Sequence, residues 1–81
     1  MTDLSPLRAL LIKLLASHRD SAAFGDDDSL FKSGRLDSVD VMEIAFFLEE
    51  TYRLDFAARG IKKEDFDSVN IMRERLIDAT R

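Results

Sequence analysis

Leucines set the first pattern in the chain. Leu7, Leu10, Leu11, Leu14 and Leu15 fall on one face of a 3.6-residue period. With Ser5 as cap and Pro6 at the first helical position, the spacing predicts an amphipathic helix from Pro6 to about Ser17. Residues His18 to Ser29 contain Gly25 and three consecutive acids and read as loop. Leu30-Phe31 interrupts that loop and is expected to tuck into the core as a short turn. Lys32-Ser33-Gly34-Arg35 then continues the loop. A second helix is predicted from about Ser38 to Tyr52, with Val41, Ile44, Ala45, Leu48 and Tyr52 as its buried stripe. Val39, Met42 and Phe46 form another stripe at the same spacing, offset around the helix. That stripe fits a partner surface, and it fits the edge of a core as well.

Leu54 to Lys63 is interrupted by Gly60 and holds at most a short helix. Asp65-Phe66-Asp67-Ser68 supplies a fresh cap, and Val69, Met72 and Leu76 mark a last helix that fades near Ala79. No run alternates as a strand does, and there is no internal repeat or low-complexity tract. The expected fold is all-α: a small four-helix bundle with three principal helices and a short one between the second and last, forming a single domain over residues 1–81.

An 81-residue chain, 35% charged and 46% hydrophobic, has room for one modest core and little room for a deep substrate pocket. It has no Cys, hence no disulfide framework and no thiolate metal site. Apolar runs such as Ala9-Leu10-Leu11-Ile12 stop too soon to span a bilayer, and no signal peptide is visible. These features lead to the expectation of a soluble, cytoplasmic monomer that neither enters membranes nor, at a net charge of −4, binds nucleic acid. The charge is unevenly placed. Asp37 to Tyr52 holds five acids (Asp37, Asp40, Glu43, Glu49, Glu50) and no Lys or Arg, so the remainder sums to +1. Such a segment attracts basic partners, or is simply a solvated helix face.

Candidate chemistry converges on Ser38. Asp37 is a natural N-cap, and Asp40 three residues later resembles a capping box. Ser38 then lies on the first turn with its hydroxyl facing solvent. The unpaired N–H groups and partial positive charge of a helix start suit a phosphate-bearing group. A Ser at such a position is also simply compatible with a helix start. Other constellations fall away. An EF-hand loop from Asp26 needs Asp or Asn at position 30 and Gly at 31, where Leu30 and Phe31 stand. His18 is the only His, too little for a zinc set, and reads as a helix-end charge or a surface residue. No metal site is expected. A hydrolytic Ser-His-Asp triad through Ser38 and His18 has no nucleophile-elbow pattern behind it. Lys62-Lys63 is too short for a nucleic-acid patch.

The combination Asp28-Ser29-Leu30-Phe31, Gly34, Leu36-Asp37-Ser38-Val39-Asp40, Met42-Glu43-Ile44 and Leu48-Glu49-Glu50 resembles the acyl carrier protein family. Glu64-Asp65-Phe66-Asp67-Ser68-Val69-Asn70-Ile71 also looks like the approach to that family's last helix, so the likeness runs from about Leu7 to Ile77. The resemblance implies a non-catalytic carrier. A phosphopantetheinyl transferase, usually dependent on Mg²⁺, moves a 4'-phosphopantetheine arm from coenzyme A to the Ser38 oxygen, and the arm's thiol holds an acyl group as a thioester. Asp37 orients the helix start beside it. The resemblance further implies that Val39, Met42 and Phe46 are apolar docking contacts, and that Asp40 and Glu43 meet basic residues of partner enzymes. Those partners are the transferase, an acyl- or aminoacyl-loading ligase and downstream acyl-transfer enzymes. Asp40 and Glu43 are accordingly expected to be exposed, and their replacement by Arg to leave the fold intact.

Two departures bear on cargo. Leu36 precedes the Asp-Ser pair where fatty-acid members usually carry Ala or a similar residue, and Arg59, Lys62 and Lys63 make the third-helix region basic rather than acidic. Leu-Asp-Ser after Gly34 looks more like the D-alanyl and aminoacyl carrier branch, or a specialised acyl carrier of a dedicated pathway, than like housekeeping fatty-acid synthesis. The rival from another class is an unmodified helical interaction module whose second helix fits a partner groove.

Overall fold

The leucine-rich segment forms α1, Ser5–Ser17, and buries Leu7, Leu11, Leu14 and Leu15. Leu10 is only half-buried, at the edge of the stripe. The computed structural model describes residues 3–80, so residues 1, 2 and 81 of the expected domain lie outside the described residues. The helix starts one residue earlier than the sequence suggested. Leu4 is the N-cap, and Ser5, expected as the cap, donates its own N–H to Asp3 Oδ1 at 2.9 Å. Pro6 still lies in the first turn, where its missing N–H removes no intrahelical bond. At the other end Arg19 takes a left-handed φ of 60°. Its N–H bonds the Ala16 carbonyl and the Asp20 N–H bonds the Leu15 carbonyl, which closes the helix in a Schellman arrangement.

Helix α2 spans Ser38–Tyr52 and buries Val41, Ile44, Ala45 and Leu48. Tyr52, expected in that stripe, is half-buried, because its hydroxyl reaches out to donate to the Asp3 carbonyl at 2.7 Å. Arg53 ends α2 in the left-handed region, and Leu54 turns back into the core. The short helix α3, Phe56–Arg59, stops at Gly60, whose φ of 78° suits glycine and whose N–H closes on the Phe56 carbonyl. A 3₁₀ turn, Lys63–Phe66, leads to the last helical segment. That segment begins as α4, Val69–Met72, with the Ser68 hydroxyl accepting the Ile71 N–H at 3.1 Å. It continues through a π turn, Arg73–Ile77, and a 3₁₀ turn, Asp78–Thr80. The described residues are therefore all helix, turn and loop, a small helical bundle with no strand.

One apolar cluster joins these elements. Leu7, Leu11, Ile44, Leu48, Phe66, Val69 and Met72 are completely buried in it. Leu30 and Phe31 reach it from the long α1–α2 loop, as the sequence predicts. Asp67 is what holds them there. It is buried, and its Oδ1 accepts the Phe31 N–H at 2.9 Å, the Lys32 N–H at 3.0 Å and the Ser29 hydroxyl at 2.9 Å. Its own carbonyl accepts the Leu30 N–H. Burial pushes the Asp67 carboxyl up, but the Lys32, Phe31 and Ser29 bonds together outweigh it and hold the group below its ordinary value. The acids of the loop are also in use rather than idle in solvent. Asp26 pairs with the Arg8 guanidinium through both oxygens, Asp27 accepts from the Asn70 amide, and Asp28 accepts the Gly25 N–H.

Candidate functional site

Helix α2 opens with a reciprocal cap. Asp37 has extended backbone angles and its Oδ1 accepts the Val39 N–H at 3.0 Å, while Asp40 Oδ2 accepts the Asp37 N–H at 3.0 Å. This is the capping box the sequence suggested. It fixes the direction of the first turn, and Ser38 stands on that turn with its side chain exposed. The loop leading in is equally constrained. Leu36 is buried and its N–H bonds the Leu30 carbonyl, and Arg35 pairs with Asp20 and donates to the Ala22 carbonyl. Ser38 is thus an exposed hydroxyl on a backbone anchored from both sides.

Asp40 departs from expectation. It is buried, with only 7% of its surface exposed, so it is not available as a docking contact. The same Oδ2 that completes the box also meets His18 Nε2 at 2.7 Å. The end of α1 is thereby tied to the start of α2. The Asp40 hydrogen bond raises the His18 pKa; partial burial opposes it, and the charges of Asp40, Asp37 and Asp20 add to it. His18 is therefore neither a simple helix-end charge nor an idle surface residue. Donor atoms of His18, Asp37 and Asp40 lie within 4.8 Å of one another. Each of the three already serves the cap or the ion pair, so their proximity is accounted for without an ion.

The remaining candidates separate cleanly. Val39, Met42 and Phe46 are exposed at 79%, 46% and 59%, so the offset stripe lies outside the core. Glu43 is exposed beside it. Phe47 is half-buried and packs edge-on against Tyr52. Of the other acids on α2, Glu49 accepts the Phe56 N–H at 3.1 Å and so helps start α3, which leaves Glu50 exposed.

Sequence reasoning missed Lys63. Its Nζ lies 3.3 Å from Ser38 Oγ and 5.9 Å from the centre of the Phe31 ring. The two residues are twenty-five positions apart, and no local pattern links them. The only hint was the basic character of the third-helix region. Within that region Arg59 has a different task, donating to the carbonyls of Arg75 and Leu76 in the last helical segment. Beside Lys63 a hollow of about 230 Å³ is bordered by Phe31, Lys32, Glu64 and Asp67. An exposed hydroxyl, an adjacent ammonium and a hollow with one aromatic wall fit a phosphodiester-linked chain of mixed polarity.

No protein-family model, curated protein or solved structure matches this chain. Among the described residues, no helix is long and apolar enough to cross a membrane.

Proposed function

We propose that the chain is an acyl carrier protein, non-catalytic itself, that acts with 4'-phosphopantetheine on Ser38. The observation that carries this reading is the exposed Ser38 hydroxyl on a rigidly capped first turn, next to the exposed strip of Val39, Met42 and Phe46. In the loading step a phosphopantetheinyl transferase directs the Ser38 oxygen at the phosphorus of coenzyme A that bears the pantetheine. The new Ser38 O–P bond replaces the pyrophosphate P–O bond, the adenosine bisphosphate half leaves with that electron pair, and the hydroxyl proton is lost to base. When attached, the arm supplies a terminal thiol that holds cargo as a thioester. The chain then contributes position. Its capped helix fixes the attachment point, and tethering raises the effective concentration of cargo for a docked enzyme.

Val39, Met42 and Phe46 with Glu43 are the residues we assign to docking; Asp40 acts behind them as a fold residue. An aminoacyl cargo is the second reading within the same class, favoured by Leu36 before the Asp-Ser pair and by Arg59, Lys62 and Lys63 in the third-helix region. An unmodified interaction module is the reading from another class, favoured by the same exposed strip. Intact-mass measurement after incubation with coenzyme A, Mg²⁺ and a broad-specificity transferase separates these. A carrier gains one phosphopantetheine unit, and Ser38→Ala gains none. A wild-type protein whose mass stays unchanged is not a carrier.

A further inference from the structure

The geometry points to Lys63 as a positioning residue for the arm: its ammonium pairs with the phosphodiester on Ser38 and lays the arm's first segment against Phe31. This rests on the carrier reading above. Two features of Lys63 support it. Its charge is uncommitted to any carboxylate: Lys63 takes part in none of the ion pairs among the described residues, in a chain of net charge −4. Its partners are instead the Ser38 hydroxyl and the face of Phe31. The exposed Lys63 ammonium makes a long hydrogen bond to an uncharged hydroxyl and a ring contact. An anion on the same oxygen offers it a much stronger bond.

The hollow supplies the rest of the argument. Past the phosphate, the arm carries two geminal methyl groups and then amides. The hollow beside Lys63 offers the Phe31 ring to the methyls, and Lys32 and Glu64 at its border to the polar groups that follow. Lys32 adds a second cation on the same border. Asp67 lies at this border too, but its Oδ1 is already occupied by three donors. The arm is therefore held toward the loop and the 3₁₀ turn at its base and free at its thiol.

The test uses isotope-labelled full-length protein loaded with an unlabelled arm. In wild type and in Lys63→Arg, filtered NOEs connect the geminal methyls to the Phe31 ring protons. In Lys63→Gln and Lys63→Ala those NOEs are lost and the phosphorus-31 resonance moves, whereas Lys62→Ala changes neither. Matching thermal melts of the variants exclude loss of fold. NOEs that survive in Lys63→Gln, or wild-type methyls that contact Met42 and Phe46 instead, overturn the role of Lys63 and leave the carrier reading intact. Wild-type protein that gains no mass with transferase and coenzyme A overturns the carrier reading, and this inference with it.

Discussion

Removing the Asp40 carboxylate should weaken the whole fold. In Asp40→Ala the Asp37 N–H loses its acceptor, and His18 loses its partner. The Asp37 N–H lies at a partly buried contact, and leaving such a donor unsatisfied costs about 1–3 kcal/mol. Cap replacements cost about 0.5–2 kcal/mol, and the two figures describe the same bond, so they are not added. A domain of this length is stable by roughly 4–12 kcal/mol, at about 0.05–0.15 kcal/mol per residue. With an m-value of about 1 kcal/mol/M, the urea midpoint should fall by about 1–3 M. Asp40→Arg should cost more, because it also brings a cation to a confined spot beside His18 and a helix N-terminus.

The His18 contact adds a signature in pH. Its folded pKa lies above the usual 6.5, so the pair stabilises the fold fully below that value and loses its contribution as pH rises through the folded pKa. The gap between wild type and Asp40→Ala should therefore be wider at about pH 5.5 than at about pH 8.5. Urea titrations followed by circular dichroism at both pH values measure it. A midpoint shift under about 0.5 M at the lower pH, or a gap equal at both, refutes the reasoning.

Asp67→Asn keeps an acceptor but loses its charge, and should cost about 1–2 kcal/mol at neutral pH, because charge-assisted bonds are roughly twice as strong as neutral ones. The folded pKa of Asp67 is depressed below 3.8, so the wild-type advantage is present above that value and disappears as pH falls through the folded pKa; equal midpoints at neutral pH would contradict this. Glu43→Arg and Phe46→Ala should leave stability within about 0.5 kcal/mol, as exposed positions do. Each should lower the transferase kcat/KM by about threefold to tenfold, and unchanged kinetics would remove these residues from the docking face.

Local chemistry was legible in the sequence, and remote partnerships were not. The leucine period located α1, and Asp37 with Asp40 located the start of α2, because capping and amphipathicity act within a few residues. The same locality explains the misreading of Asp40. Its place on the helix surface suggested a solvent-facing acid, whereas in the fold it is buried and bonded to His18 from the end of α1. Asp67 is similar. It reads as part of a capping cluster, and Ser68 is indeed the cap, but its main bonds go to Ser29, Phe31 and Lys32, more than thirty residues away. The cap of α1 was missed by one residue, since Leu4 occupies it without a side-chain capping bond and so leaves no polar signature in the sequence.

The charge pattern acquires a different meaning once these bonds are placed. Five acids from Asp37 to Tyr52 suggested a segment that attracts basic partners or a solvated helix face. Asp37 and Asp40 are engaged in the cap, and Glu49 in starting α3, which leaves Glu43 and Glu50 as the remaining exposed acids of the segment. Docking by charge would then depend on few groups, with the exposed Met42 and Phe46 supplying the apolar contact. The basic residues divide in the same way: Arg59 secures the last helical segment, and Lys63 stands at Ser38. Lys63 thus places one cation beside Ser38 on the side of the 3₁₀ turn, while the exposed surface further along α2 is acidic and apolar. A phosphate attached there would be drawn toward Lys63, leaving Met42, Glu43 and Phe46 uncovered for a protein partner. On the carrier proposal, arm and partner need not compete for the same surface, and this separation would let a chain of 81 residues present cargo while being recognised.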